Sequence, residues 1–280
     1  DDVESRGLGD VYKRQFSNNS ADTWFRDIMF DCVLCPRACH VNRLAGQTGY
    51  CGQTAELMAA RASLHYWEEP CISGTSGSGT VFFSGCNLRC VFCQNHNIAL
   101  GKAGRVIAPE HLAEIFLQLQ EQGANNINLV TPTHFLPQIV IALEQAKQQG
   151  LHLPIVYNTG SYESPEALRH LEGLVDIYLP DLKYFSPELS TAYSHAPDYF
   201  ETACAAISEM YRQVGDSVID EDTGLMQHGM IVRHLLLPGQ TKDSKKILRY
   251  LHETYGDHIY ISIMNQYTPC LLYTSDAADE

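Results

Sequence analysis

The chain has 280 residues, with 19 Lys or Arg against 33 Asp or Glu, which gives a formal net charge of −14. An acidic chain without a basic stripe is a poor candidate for binding nucleic acid. No apolar run is long enough for a membrane span and no secretory signal is visible, so we expect neither a membrane protein nor a secreted one.

Both ends of the chain are predicted to derive from sequencing-adapter DNA. Asp10–Gln15 can be encoded by GAT GTG TAT AAG AGA CAG, and the reverse complement of that DNA, read one base out of frame, encodes Cys270–Thr274. One inverted segment therefore explains both termini, so residues 1–15 and 270–280 are set aside as non-native. These ends carry seven acids and three bases, which leaves 16 basic and 26 acidic residues and a net charge of −10. We expect the remaining fragment to be truncated at its C-terminus.

Strand-like and helical patterns alternate through the rest of the chain. Apolar runs predict six strands, at Thr80–Ser84, Asn126–Thr131, Pro154–Asn158, Val175–Leu179, Met230–Leu237 and His258–Ile263. Helical spacing, in several cases opened by proline, predicts the connecting helices, at Pro109–Gln122, Pro137–Gln149, Pro165–Leu171, Asp198–Val214 and Ser244–Thr254. Helix-length connections between strands predict an α/β fold with a parallel sheet. Ligands of such folds bind where the strands end.

Three cysteines follow the first predicted strand within eight residues. Cys86, Cys90 and Cys93 have the spacing C-x₃-C-x₂-C. An iron–sulfur cube is usually held by four thiolates, so three leave one iron open to a small molecule. The alternatives are a structural zinc site, which favours paired cysteine knuckles and four protein ligands, or three buried reduced cysteines. Nine cysteines outside the set-aside ends, at metal-type spacings, indicate a reducing cytoplasm.

This cysteine motif, with Phe92 just before its last cysteine, resembles the cluster motif of the radical S-adenosylmethionine (SAM) superfamily. The stretch Cys32–Pro269 resembles the branch related to pyruvate formate-lyase activating enzymes that carries an N-terminal C-x-L-C-P-R-x-C segment. Further matching stretches are Trp67–Gly74, Gly77–Thr80, Asp181–Lys183, Arg233–Gly239 and Ser262–Pro269. The resemblance implies a partial (β/α)₆ barrel, incomplete here, over residues 76–269. A small Cys-rich metal-binding segment, residues 16–75, would precede it. An eight-stranded barrel is the structural alternative.

The resemblance also implies roles for individual residues. Cys86, Cys90 and Cys93 would ligate a [4Fe–4S] cluster, and SAM would chelate its open iron. The implied SAM contacts are Phe92 near the adenine, Asp181 and Lys183 of a D-x-K motif, His234 near the ribose, and Asn95, Asn158, Arg233, Thr131 and Thr133. For Asp181 and Lys183 the alternative is a solvated turn, and for His234 a core position.

One segment departs from the family pattern. Thr131–Phe135 stands where activating enzymes carry Gly-Gly-Glu, whose carboxylate receives the SAM amino group. Thr131 and Thr133 could accept the same hydrogen bonds, but no carboxylate is present. His134 beside them is a candidate for facing the substrate.

Four further cysteines precede the predicted barrel, at Cys32, Cys35, Cys39 and Cys51. Four thiolates can close a tetrahedral zinc site or complete an auxiliary [4Fe–4S] cluster, and the closed ligand count favours zinc. Cys204 is predicted to lie in the core, and Cys71 is left without a role.

The resemblance implies an oxidoreductase that cleaves SAM reductively. A 5′-deoxyadenosyl radical would then take a hydrogen atom from a glycine of a partner glycyl-radical enzyme, with flavodoxin or ferredoxin as the reductant. A small-molecule or peptide substrate is the close alternative. A non-catalytic iron–sulfur electron carrier is the second alternative, and it would need a fourth thiolate. No general base is assigned, because the chemistry requires none.

Overall fold

The computed structural model describes residues 20–269, so both predicted adapter segments lie outside the described residues. The helices are α1 (Ser20–Phe30), α2 (Pro70–Ser73), α3 (His96–Ala99), α4 (Pro109–Glu121), α5 (Leu136–Gln148), α6 (Pro165–Leu168), α7 (Pro187–Ser194), α8 (Tyr199–Val214) and α9 (Thr241–Tyr255). The strands are β1 (Met58–His65), β2 (Ser78–Phe83), β3 (Arg105–Val106), β4 (Ile127–Val130), β5 (Ile155–Thr159), β6 (Ile177–Pro180), β7 (Val218–Ile219), β8 (Met226–Leu235) and β9 (Tyr260–Met264). Short 3₁₀ turns occupy Arg43–Ala45, Thr133–Phe135 and Arg169–Leu171.

The strands form one sheet of mixed direction. Its order is β3-β1-β2-β4-β5-β6-β8-β7, and β9 pairs with β8. Strands β2, β4, β5, β6, β8 and β9 pair in parallel, whereas β1, β3 and β7 pair antiparallel. All six predicted strands are confirmed and pair in parallel, and β1, β3 and β7 add antiparallel pairs that were not predicted. The fold is mixed α/β, and its closure into a partial (β/α)₆ barrel stays a prediction.

The central strands β5 and β6 are covered on both faces. Every residue of β5 and β6 is buried, as expected for parallel strands packed between layers. Serine caps begin the helices that follow them. The Ser164 hydroxyl accepts from the Ala167 amide at the start of α6, and the Ser186 hydroxyl accepts from the Leu189 amide at the start of α7. Each of these two helices also has a proline in its first turn, and the fixed φ angle of proline suits the start of a helix.

The Cys-rich segment is packed into the same core as the sheet. Arg43 is almost fully buried, and its guanidinium donates to the carbonyl oxygens of Thr54 and His134 at 2.6 and 2.7 Å. Strand β1, which lies before the predicted boundary at residue 75, pairs with β2, so the sheet extends across that boundary. None of the helices within residues 20–269 has the length and apolar composition of a membrane span.

Candidate active site

The three-cysteine loop begins where β2 ends and is shaped by one glycine. Gly85 has a φ of +88°, and a Cβ there would lie 2.6 Å from the Gln53 side chain and 2.7 Å from the Cys51 carbonyl oxygen. Only glycine accepts both constraints without strain. The Leu88 amide then turns back to donate to Cys86 Sγ at 3.4 Å. The loop is thereby folded against the Cys-rich segment.

The thiols of this loop are withdrawn from water and lie near one another. Burial, and then the neighbouring thiols of Cys86 and Cys90, raise the pKa of Cys93 to about 12. Burial, and then Cys90, raise the pKa of Cys86. Without a cation the thiols of Cys86 and Cys93 would stay protonated, whereas a metal that binds thiolates supplies the missing positive charge.

The donor set fits an iron–sulfur cube better than a mononuclear site. Among residues 20–269, no three Cys, His, Asp or Glu side chains converge as ligands of one metal ion. A cube attaches each thiolate to a different iron, so its sulfurs need not meet at one point. The three loop cysteines would be the ligands. The bound cluster would supply a one-electron redox centre beside the neighbouring cavity.

A cavity of about 650 Å³ adjoins the cysteine loop and is lined by Cys90 and Cys93. Cross-strand register brings three of its other residues side by side, because Phe82 pairs with Val130 and Val130 pairs with Asn158. These positions lie near the carboxyl ends of three parallel strands. The candidate site is therefore where ligands of parallel α/β folds are expected.

Three charged side chains converge on this cavity. Asp181 and Lys183 follow β6, and Arg233 belongs to β8. Arg233 Nε donates to Asp181 Oδ1 at 2.8 Å, and Lys183 Nζ lies 2.5 Å from Asp181 Oδ2. Burial would raise the pKa of Asp181, but the Arg233 guanidinium and then the Lys183 ammonium hold it below its ordinary value. Conversely, Asp181 raises the pKa of Lys183 against the opposing effect of burial. All three groups are therefore charged, and the solvated-turn alternative for Asp181 and Lys183 does not describe them.

Glu68 completes the charge balance, and sequence reasoning missed it. Its Oε1 accepts from Arg233 Nη1 at 2.8 Å, and its Oε2 accepts from the side-chain amides of Asn128 and Asn158 at 3.1 and 3.0 Å. Asn158 Oδ1 in turn accepts from Arg233 Nη2 at 2.7 Å. In the hydrogen-bonded network of Glu68, Asp181, Lys183 and Arg233, two carboxylates face two cations, and Glu69 and Arg61 add one more of each to the cavity lining, so the polar wall is neutral as a whole. The only sequence signal was the position of Glu68 inside the family-like stretch Trp67–Gly74.

Six of the nine predicted SAM contacts line the cavity. They are Phe92, Asn95, Asn158, Asp181, Lys183 and Arg233. The ring of Phe92 packs against those of Tyr184, Tyr193 and Tyr267, with centroids 6.0–6.3 Å apart. The cavity-lining Phe92 is therefore held in place by a cluster of aromatic rings.

The other three predicted contacts, together with His134, do not line the cavity. Strand alternation points Arg233 into the cavity and His234 away from it, and His234 Nδ1 lies 2.7 Å from the Leu182 carbonyl oxygen. Thr133 donates to Glu163, and the Thr131 amide donates to the Asn158 carbonyl oxygen. His134 is buried with Nε2 at 2.6 Å from the Ser84 carbonyl oxygen, so the idea that it faces substrate was wrong.

A second buried carboxyl group, Glu163, lies behind the threonines. Its Oε1 accepts from the hydroxyls of Thr133 and Thr159 at 2.6 and 2.5 Å, and it is fully buried. Burial raises its pKa to about 7, although these hydroxyls oppose the shift. The loop after β5 thus carries a carboxyl group, whereas the loop after β4 carries none. The Glu163 carboxyl group faces the core and not the cavity.

The four N-terminal cysteines lie on two turns that face each other. Residues Ala38 and His40 adopt left-handed backbone angles, and the His40 amide donates to the Cys32 carbonyl oxygen at 3.1 Å. Cys39 Sγ accepts from the Tyr50 amide at 3.3 Å, which places it beside Cys51. Within residues 20–269 no group of three His, Cys, Asp or Glu side chains is placed to hold a metal ion, so neither zinc nor an auxiliary cluster is shown here. The second metal site stays a prediction.

The remaining two described cysteines lie apart from both sets. Cys204 is half-buried on α8, so its assignment to the core was only partly right, because that face of the helix is not fully covered. Cys71 is half-buried on α2 beside the cavity-lining Pro70.

Comparisons with known proteins identify the family of the chain. Residues 80–251 match the family model described as Radical SAM superfamily. An uncharacterized protein of Methanocaldococcus jannaschii is 28% identical over 254 residues, covering 87% of this chain and 68% of that protein. A pyruvate formate-lyase-activating enzyme of Clostridium pasteurianum is 29% identical over 121 residues, covering 40% of this chain and 48% of that enzyme.

Among solved structures, histidine-tagged anSMEcpe with bound AdoMet is similar with a TM-score of 0.44 and 15% identity, over 67% of this chain and 49% of that one. The family match spans more than half of the 280 residues, from β2 through the cysteine loop to α9. The chain belongs to the radical SAM superfamily.

Proposed function

We propose that the protein cleaves SAM reductively at a [4Fe–4S] cluster bound by Cys86, Cys90 and Cys93. One observation supports this most strongly, namely that Cys90 and Cys93 line the same cavity as a charge-balanced set of polar side chains. When bound, the cluster supplies one electron to the SAM sulfonium, which gives methionine and a 5′-deoxyadenosyl radical. That radical takes a hydrogen atom from the substrate and leaves as 5′-deoxyadenosine.

The charged wall of the cavity suits the methionine end of SAM. Lys183 uses one N–H on Asp181 and is 18% exposed, so its remaining donors can meet the SAM carboxylate. The Asp181 carboxylate suits the ammonium or the sulfonium. Arg233 and Asn158 hold that carboxylate and Glu68 in place. Because these charges are already oriented, little free energy is needed to reorganise them during the reaction.

The aromatic and amide side chains of the cysteine loop suit the nucleoside end. Phe92 offers an apolar ring, and Asn95 lines the same wall. We leave Thr131, Thr133 and His234 out of the proposed SAM-binding set, because none of the three lines the cavity. The amino group of SAM would then be received by Asp181 and not by a loop after β4.

As substrate we propose a glycine α-carbon of a glycyl-radical enzyme, and as partner a one-electron donor such as flavodoxin or ferredoxin in the cytoplasm. The support is the similarity of 121 residues to a pyruvate formate-lyase-activating enzyme. A small molecule or peptide is the rival substrate. The genes beside the coding sequence discriminate between them, since a neighbouring glycyl-radical enzyme favours the protein substrate.

The activity is tested by anaerobic reconstitution with iron and sulfide, reduction by dithionite and addition of SAM. The expected product is 5′-deoxyadenosine, which Cys86→Ala should abolish. If wild-type protein and Cys86→Ala form equally little of it, the proposal fails and the electron-carrier alternative gains support. We also propose that Cys32, Cys35, Cys39 and Cys51 hold a second metal centre separate from the reaction.

A further inference from the structure

The end of helix α7 touches the cysteine loop through a buried hydroxyl group. Ser194, the last residue of α7, is fully buried, and its Oγ lies 3.0 Å from Cys90 Sγ. The same Oγ lies 2.7 Å from the hydroxyl oxygen of Tyr184, which is also fully buried. The three polar atoms therefore form one chain that ends at a cysteine predicted to bind the cluster.

The direction of these hydrogen bonds follows from the chemistry of the thiolate. A thiolate bound to iron has no hydrogen to give, so Ser194 must donate to Cys90. A hydroxyl group has one hydrogen, so Ser194 can then only accept from Tyr184. The tyrosine ring is held by edge contacts with Phe92 and Tyr199, at centroid distances of 6.3 and 5.2 Å, which orients its hydroxyl group.

Backbone contacts fix the end of α7 against the cysteine loop. The Val91 amide donates to the Tyr193 carbonyl oxygen at 3.0 Å. Arg37 bridges the two elements, because its Nη2 donates to the Ser194 carbonyl oxygen and its Nε to the Asn87 carbonyl oxygen, each at 2.8 Å. Arg37 lies between Cys35 and Cys39 in sequence. The N-terminal segment therefore fixes the position of Ser194 at the end of α7.

We propose that Ser194, oriented by Tyr184, is a positioning residue that tunes the reduction potential of the cluster through its hydrogen bond to Cys90. Reduction adds negative charge to the cluster and its sulfurs. A donated hydrogen bond stabilises that charge more in the reduced state than in the oxidised state, which raises the potential. The inference rests on the proposed function only in taking Cys90 as a cluster ligand.

The test is a redox titration of the reconstituted protein followed by electron paramagnetic resonance in the absence of SAM. In Ser194→Ala the midpoint potential should become more negative, so that the ratio of reduced to oxidised cluster at a fixed applied potential falls about two- to tenfold. Ser194→Thr keeps the hydroxyl group and should stay near wild type. Tyr184→Phe removes the outer donor and should shift the potential in the same direction by less.

Ser190→Ala is the matched control, because Ser190 is buried on the same helix but donates to the Pro187 carbonyl oxygen. Its potential should equal that of wild type. A Ser194→Ala protein with the wild-type potential overturns the inference. If that variant binds no cluster, an unchanged potential in Tyr184→Phe overturns it instead. The titration contains no SAM, so its result does not depend on the proposed activity. A shifted potential in a protein that never forms 5′-deoxyadenosine would support this inference and contradict the proposed activity.

Discussion

Glu68 and Arg233 lie 165 residues apart in sequence and meet in the cavity, where Arg233 Nη1 donates to Glu68 Oε1 at 2.8 Å. Glu68 belongs to the segment between β1 and α2, whereas Arg233 lies near the end of β8. The pair thus joins an edge of the sheet to the strand that carries the site. Arg233 also holds Asp181, so two of the carboxylates that line the cavity depend on one guanidinium.

Glu68→Gln should destabilise the protein and weaken SAM binding. The variant leaves the polar wall with one excess positive charge, which disfavours a ligand that itself carries a sulfonium. It also loses a charge-assisted hydrogen bond, so the free energy of unfolding should fall by roughly 1.5–3 kcal/mol. Chemical denaturation and equilibrium binding of SAM measure the two effects. Glu144→Gln, which changes an exposed carboxylate on α5 away from the cavity, is the control, and equal behaviour of the two variants would contradict the assignment.

Lys183→Ala should weaken SAM binding about ten- to a hundredfold, because a charge-assisted contact contributes roughly 1.5–3 kcal/mol. The cluster should still assemble, since its ligands belong to another loop. Asp181 keeps its partner Arg233, so the fold should persist. Isothermal titration with SAM provides the dissociation constant, and Lys245→Ala, on the exposed side of α9, is the control. An unchanged dissociation constant would remove Lys183 from the binding site.

Glu163 should make the free energy of unfolding fall as the pH rises, whereas a salt-bridged acid would make it rise. Its pKa is raised by burial from 4.5 to about 7, so the folded state retains a proton that the unfolded state loses. The resulting stability is fully present below about pH 4.5 and is lost as the pH rises through about 7, which amounts to about 3 kcal/mol.

Glu163→Gln is the matched variant, because a glutamine oxygen can still accept from Thr133 and Thr159 at every pH. The unfolding free energy of wild type relative to this variant should decline between pH 5 and pH 7.5. Thermal denaturation across that range measures it. Parallel curves for the two proteins would show that Glu163 does not titrate in this window.

The N-terminal cysteines should hold metal independently of the cluster loop. In a variant with Ala at Cys86, Cys90 and Cys93, elemental analysis should still find bound iron or zinc. The closed count of four thiolates favours zinc, and an auxiliary [4Fe–4S] cluster is the alternative. A folded variant free of metal would show that Cys32, Cys35, Cys39 and Cys51 form no site.

Local sequence patterns predicted those parts of the fold that have strong local signals. Strands β2, β4, β5, β6, β8 and β9 were found because each contains a short run rich in apolar residues, although β9 is only partly buried. Strand β1 was missed because Met58–His65 is half-exposed at the sheet edge and shows neither an apolar run nor a clear alternation. Helix α7 was missed because eight residues give little periodicity.

The same distinction applies to the candidate site. Asp181 and Lys183 could be predicted because a motif directly follows a strand. Glu68 and Ser194 could not, because their partners Arg233 and Cys90 lie 165 and 104 residues away. His234 was placed in the site by family resemblance, although strand alternation beside Arg233 already predicts that it points the other way.

The central claim is that three thiolates leave one iron of the cluster open to SAM. Electron paramagnetic resonance of the dithionite-reduced protein, recorded with and without SAM, tests it most directly. Binding of SAM at the open iron should change the spectrum of the reduced cluster, and Lys183→Ala should require more SAM for the same change. Identical spectra with and without saturating SAM would contradict the claim.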